Sequence, residues 1–241
     1  MRFSIDRWQK LAGVSLLRES EEKEARLRAS IEGYAVGKFD THGDITIVLY
    51  DLEKMKAAVR GLGGAKSPVG EMPSAVVGMI RISPPFYGTS GDENSCRGAW
   101  EIVRSGTRMR NVGIGGLLYR LAGDASPTGR VMPDRRDVSP SAQKMWTSAF
   151  GRMSDEKKKE TAFDDESNPQ TPDPDDDCLI NPSGDFLNHA YDDVGKGIDV
   201  DRLTAAHEAF MDEISWDLPV GVDIGKLFYK AASTAFHEMT D

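Results

Sequence analysis

Between Gly98 and Ala122 the chain changes its period. Gly98-Ala99-Trp100-Glu101-Ile102-Val103-Arg104-Ser105 reads as a strand, Arg110-Asn111-Val112-Gly113-Ile114-Gly115-Gly116 as a glycine-rich turn, and Leu117-Leu118-Tyr119-Arg120-Leu121-Ala122 as an apolar helix ending near Gly123. A strand that runs through glycines straight into a helix has two uses. It can pack the helix tightly back on a sheet. It can also form an anion cradle, because glycines admit a ligand close to the main chain and the first amides of a helix point outward with the positive end of the dipole. Walker A chemistry is excluded, since no Lys-Ser/Thr follows the last glycine. The dinucleotide fingerprint G-x-G-x-x-G also fails, because position 118 is Leu.

The segments around this unit predict a mixed architecture. Asp44–Asp51 and Ala75–Ile82 are β-branched runs bounded by Gly43, Asp51 and the Pro84-Pro85 pair, and both read as strands. Lys54–Leu62 reads as a short helix, Gly129–Met132 as a short strand, and Ser139-Pro140 as the N-cap and first residue of a helix carrying Ala142, Met145, Trp146, Ala149 and Phe150 on one face. Residues 1–40, in which acids and bases alternate from Glu19 to Arg28, predict a charged helical arm, either solvated or docking a partner. Residues 164–182, rich in Pro and Asp, predict a linker loop between a domain at 41–163 and a helical appendage at 183–241, with helices at 201–215 and 225–237.

Charge and cysteine content narrow the function classes. Thirty Lys and Arg stand against 39 Asp and Glu, a net charge of −9, which argues against nucleic acid as a partner. Cys96 and Cys178 form no CxxC pair and imply neither a disulfide framework nor a structural zinc site. No apolar run reaches the ~18 residues of a membrane span, and Met1–Asp6 lacks the start of a signal peptide, so a cytoplasmic protein with no membrane partner is expected.

The spacing Arg110-x-x-Gly113-x-Gly115 resembles the Arg/Gln-x-x-Gly-x-Gly/Ala motif of the GNAT family of acyl-CoA-dependent N-acetyltransferases, and the order of elements over residues 40–152 is similar to that family's. The resemblance implies an α+β fold with a mixed, mostly antiparallel sheet flanked by helices. It implies acetyl-CoA as co-substrate, held by Val103 and Ser105 on the strand and by Arg110, Asn111, Val112, Gly113, Ile114, Gly115 and Gly116 in the turn. No metal is implied. Glu101 stands where the family often places a general base, although strand alternation leaves open which sheet face it occupies. The family's usual general acid is a Tyr on the helix after the fifth strand; residues 139–151 contain none, which leaves Ser139 and Ser141 as the hydroxyls there.

Pro133-Asp134-Arg135, Val138-Ser139-Pro140, Asn168-Pro169-Gln170-Thr171-Pro172 and Leu187-Asn188-His189-Ala190-Tyr191 look like segments of phage-encoded GNAT-like proteins of unassigned substrate. That resemblance implies an origin in a phage and a place in the host cytoplasm or the virion. Two functions follow from these resemblances. One is an N-acetyltransferase acting on an amine-bearing small molecule or protein. The other is an inactive GNAT-like module that binds phage structural proteins or another partner. Oligomeric state is not readable.

Other clusters carry less. Asp173, Asp175, Asp176 and Asp177 lack the Gly and Glu of an EF-hand loop and read as a solvated loop. Arg130, Arg135 and Arg136 suit either cofactor phosphates or the neighbouring acids. No G-x-S-x-G elbow supports a serine hydrolase.

Overall fold

The computed structural model describes residues 31–60, 71–84, 95–109, 113–134, 138–147, 162–165, 168, 170–178, 188–192, 200–215 and 223–240. The strands are β1 (Tyr34–Thr41), β2 (Asp44–Asp51), β3 (Val76–Ser83), β4 (Trp100–Thr107), β5 (Val131–Pro133), β6 (Asp164–Asp165) and β7 (Asp177–Cys178). The α-helices are α1 (Leu52–Arg60), α2 (Met72–Ala75), α3 (Ile114–Ala125), α4 (Pro140–Met145), α5 (Val200–Ser215) and α6 (Ile224–Thr240). β1 to β5 form one sheet in chain order, antiparallel except for the parallel pair β4–β5. The fold is therefore α+β with a mixed five-stranded sheet.

Local chemistry explains the elements. β2 is apolar at nearly every position because both of its faces are covered. Ile45, Ile47 and Leu49, with Ile80, Ile82 and Ile102, meet Ile114, Leu117, Leu118 and Leu121 of α3 on one face. Val48, Tyr50, Val76 and Met79 meet Met55 of α1, Phe210 and Ile214 of α5, and Phe228 and Ala232 of α6 on the other. Helix starts are capped by side chains: Asp51 accepts from the Lys54 amide at 3.0 Å, Ser139 from Ala142 at 3.3 Å and Asp223 from Lys226 at 3.1 Å.

Several expectations need correction. Tyr34–Thr41 falls in the segment read as a helical arm but is strand β1, joined to β2 by a two-residue turn in which His42 and Gly43 have φ of 58° and 87°. Positive φ at both positions is the hairpin geometry whose twist matches the flanking strands. The remainder of the arm, residues 1–30, lies outside the described residues. The C-terminal helices are helical as expected, yet they form the second layer of the sheet, because Phe210, Phe228 and their neighbours close the face that α3 leaves open.

Within the 164–182 segment, read as a linker loop, β6 and β7 form a parallel pair. It is also covalently tied. Cys96 and Cys178, read as implying no disulfide framework, form a single disulfide across 82 residues. The fold brings the turn before β4 against β7, a proximity that sequence spacing does not encode. Arg97 reinforces it, with its amide donating to the Asp175 carbonyl at 2.6 Å and its guanidinium to the Asp176 carboxylate at 3.1 Å. Among the described residues no helix is long and apolar enough to cross a membrane.

Candidate functional site

β4 and β5 stay paired for only three residues, Trp100 with Val131, Glu101 with Met132 and Ile102 with Pro133. β5 then ends at a proline, which has no amide to continue the ladder, while β4 runs on to Thr107. Val103 sits at a register shift: Ile82 faces Ile102 and Arg81 faces Arg104, so Val103 is an extra residue on β4. A bulge of this kind bends the strand and turns neighbouring groups aside.

Where the strands part, a cleft of about 220 Å³ opens. Its described lining is Ile102, Val103, Arg104 and Ser105 of β4, Tyr119 of α3, Asp134, Val138 and Ser139 after β5, Ala142 of α4, Trp146 beyond it, and Phe236 of α6. Residues from both sheet faces contribute, since Tyr119 belongs to the α3 layer and Phe236 packs with the α6 layer. The cleft therefore lies where β4 runs on beyond its described pairing with β5.

The Tyr119 hydroxyl lies 3.4 Å from Ser105 Oγ. Its ring stands edge-on to Trp146 at 5.3 Å, and Trp146 in turn meets Tyr191 at 4.8 Å. Tyr191 is fixed by two main-chain hydrogen bonds to Val131, of 3.2 and 2.8 Å. Burial raises the Tyr119 pKa above the ordinary phenol value, opposed by the Ser105 hydrogen bond. Tyr119 is thus a neutral hydroxyl at physiological pH, able to donate a proton or a hydrogen bond.

The helix that supplies Tyr119 to this cleft, α3, starts at Gly113. Gly113 caps it in the left-handed conformation, φ 86°, and the Leu117 amide bonds back to the Gly113 carbonyl at 3.0 Å. The amides of Ile114, Gly115 and Gly116 precede that first helical bond and have no partner within the helix. A Cβ placed on Gly115 would lie 3.4 Å from the methyl of Met145 on α4, the helix whose Ala142 lines the cleft.

The residues singled out from the sequence divide accordingly. Val103, Ser105 and Ser139 line the cleft. Gly113, Gly115 and Gly116 form the start of α3 and are not part of the cleft lining, while the Ile114 side chain is fully buried in the core. Arg110, Asn111 and Val112 lie outside the described residues, as do Arg135 and Arg136. Glu101 is buried and is not part of the cleft lining; alternation sends it to the face opposite Ile102. Ser141 is exposed, 3.4 Å from Ser139 Oγ, and stands outside the lining.

Arg130 binds Asp192 at 2.7 Å and the Arg97 carbonyl at 3.0 Å, so it serves the structural use. The acids expected in a solvated loop are not all solvated. Asp173 and Asp175 are exposed, but Asp176 is buried with Arg97 and Thr171, and buried Asp164 accepts from the amides of Gln170 and Thr171 at 2.6 Å each.

Sequence reasoning missed Tyr119, Arg104, Asp134 and Phe236 as parts of one site. For Tyr119 no separate signal existed, since its place on α3 reads equally well as a core position. Compared with family models, with curated proteins and with solved structures, the chain matches none.

Proposed function

We propose that the chain is an acyl-CoA-dependent N-acyltransferase of the GNAT type, transferring an acetyl group to the amine of a small molecule or protein. The observation that carries this reading is the parting of parallel strands β4 and β5 beyond Ile102, followed in the chain by a helix that starts at a left-handed glycine cap. The donor set suits the cofactor. The amides of Ile114, Gly115 and Gly116 would hold the diphosphate, and the bulged main chain at Val103 with Ser105 would orient the acyl arm.

Bound acetyl-CoA supplies an activated acyl group as a thioester. The chain's own part is positioning and proton handling. Tyr119 Oη, kept protonated by burial and steadied by Ser105, is the donor in the cleft. Ser139 Oγ accepts the Ala142 amide and fixes the start of α4. Asp134, rather than Glu101, is the carboxylate on the wall.

Calorimetry with acetyl-CoA tests the reading. The wild type is expected to bind, and Gly115→Asp to weaken binding at least tenfold. A carboxylate there suits the helix dipole, so the fold persists, but it repels a diphosphate. Well-folded wild type that does not bind acetyl-CoA overturns the proposal.

A second reading, a GNAT-shaped module without turnover, is favoured by the position of Glu101 outside the cleft. Thiol release with a panel of amines separates the two.

A further inference from the structure

Arg104 stands out in the charge pattern of the sheet. The neighbouring arginines each meet a carboxylate: Arg81 meets Asp44, Arg97 meets Asp176, Arg108 meets Glu238 and Arg130 meets Asp192. Arg104 meets none among the described residues, in a chain with 39 acids and a net charge of −9. Its guanidinium instead lies over the Phe236 ring, 5.7 Å from the centroid, and both residues line the cleft. An aromatic platform holds a guanidinium in place without consuming its in-plane donors. Those donors match a carboxylate or phosphate in paired geometry.

Position adds to this. Arg104 faces Arg81 across β3–β4, and Arg81 is occupied by Asp44, which also accepts from Ser83 at 2.6 Å. Of these two adjacent guanidiniums, Arg81 is neutralised by Asp44 and Arg104 is left without a carboxylate contact among the described residues. The nucleotide-holding amides of α3 lie with the Tyr119 layer, whereas Arg104 leans on α6 at the other face of the sheet.

We propose that Arg104 on its Phe236 platform is an anion subsite for the acceptor, so that the acceptor is an amine which also carries an acidic group, a carboxylate or a phosphate. This substrate class rests on the reading of the cleft as the site of acyl transfer. The subsite itself is a binding claim and is tested as one.

Matched probes are titrated calorimetrically into the whole protein, with and without acetyl-CoA: tyrosine against tyramine, lysine against cadaverine, and O-phosphoethanolamine against ethanolamine. The acidic member of at least one pair is expected to bind at least tenfold tighter than its partner. Arg104→Gln is expected to remove that difference while leaving acetyl-CoA affinity and the melting temperature unchanged. The carboxylate and phosphate pairs distinguish the two acidic groups.

If no acidic probe outbinds its partner, or if Arg104→Gln weakens both members equally, the subsite is overturned. If Arg104→Gln lowers acetyl-CoA affinity instead, Arg104 serves the cofactor's phosphates and the acceptor assignment is overturned. Acidic probes that bind through Arg104 to a protein that ignores acetyl-CoA would leave the subsite standing and remove the transfer reading.

Discussion

Tyr119 of α3 and Ser105 of β4 bring their hydroxyl oxygens to 3.4 Å across the point where the sheet opens. The phenol is 4% exposed and its ring is fixed against Trp146, so its direction is set by packing. Tyr119→Phe keeps that packing and removes only the oxygen. Acetyl-CoA affinity is expected to stay within about twofold, and the rate of thiol release to fall about 10²-fold, the usual scale for a positioned proton donor. Equal rates for both proteins would take Tyr119 out of the proton path.

The Cys96–Cys178 link closes 82 residues that include β4, α3, β5 and α4. Cys96 and its neighbour Arg97 have φ of 57° and 54°, a region that residues with side chains rarely enter. Thiol titration of the native protein should find no reactive cysteine. The Cys96→Ser, Cys178→Ser double variant should lose about 2–4 kcal/mol in urea unfolding. Its Trp146 fluorescence should shift, because Met132, Phe163 and Ala190 pack around the link and Ala190 precedes Tyr191.

His207 of α5 hydrogen-bonds Tyr50 of β2, Nδ1 to hydroxyl, at 2.8 Å among Phe39, Phe210 and Phe228. Burial lowers the histidine pKa below its ordinary value of 6.5 and raises that of Tyr50. Below about pH 6.5 the unfolded chain therefore takes up a proton that the folded chain resists, so stability falls as the solution is acidified. The melting temperature should drop between pH 7 and 5. His207→Gln should flatten that slope, and an unchanged slope would mean that other groups dominate acid unfolding.

Gly78 of β3 lies beneath α3. A Cβ there would come 2.9 Å from Leu118 Cδ1 and 3.2 Å from the Gly106 carbonyl of β4. The leucine can rotate, but the carbonyl belongs to the sheet ladder. Gly78→Ala is expected to cost about 1–3 kcal/mol in denaturant unfolding, in the range of overpacking. A larger loss of acetyl-CoA affinity than Gly115→Ala produces would show that α3 moves as a unit relative to β4.

Much of the secondary structure was legible. β2, β3 and β4 announce themselves as β-branched runs, and Ser139-Pro140 marks the start of α4 because capping chemistry is confined to a few adjacent residues. β1 was hidden: Gly37, Lys38 and Asp40 interrupt its apolar pattern, and its pairing is organised by a His-Gly turn rather than a common hairpin pair. Of the site, Val103, Ser105 and Ser139 could be marked in advance. Tyr119 could not, since its helical spacing reads equally well as core, and Phe236 lies more than a hundred residues from β4.

The sequence alone marked β2, β3, β4 and the helices α3 to α6, because periodicity, branching and caps act within a few residues. It left undecided where β5 stops following β4, which face Glu101 takes, that Cys96 reaches Cys178, and that α6 closes the sheet behind Arg104. Those outcomes depend on groups far apart in the chain competing for the same buried surface, and only the folded arrangement resolves that competition.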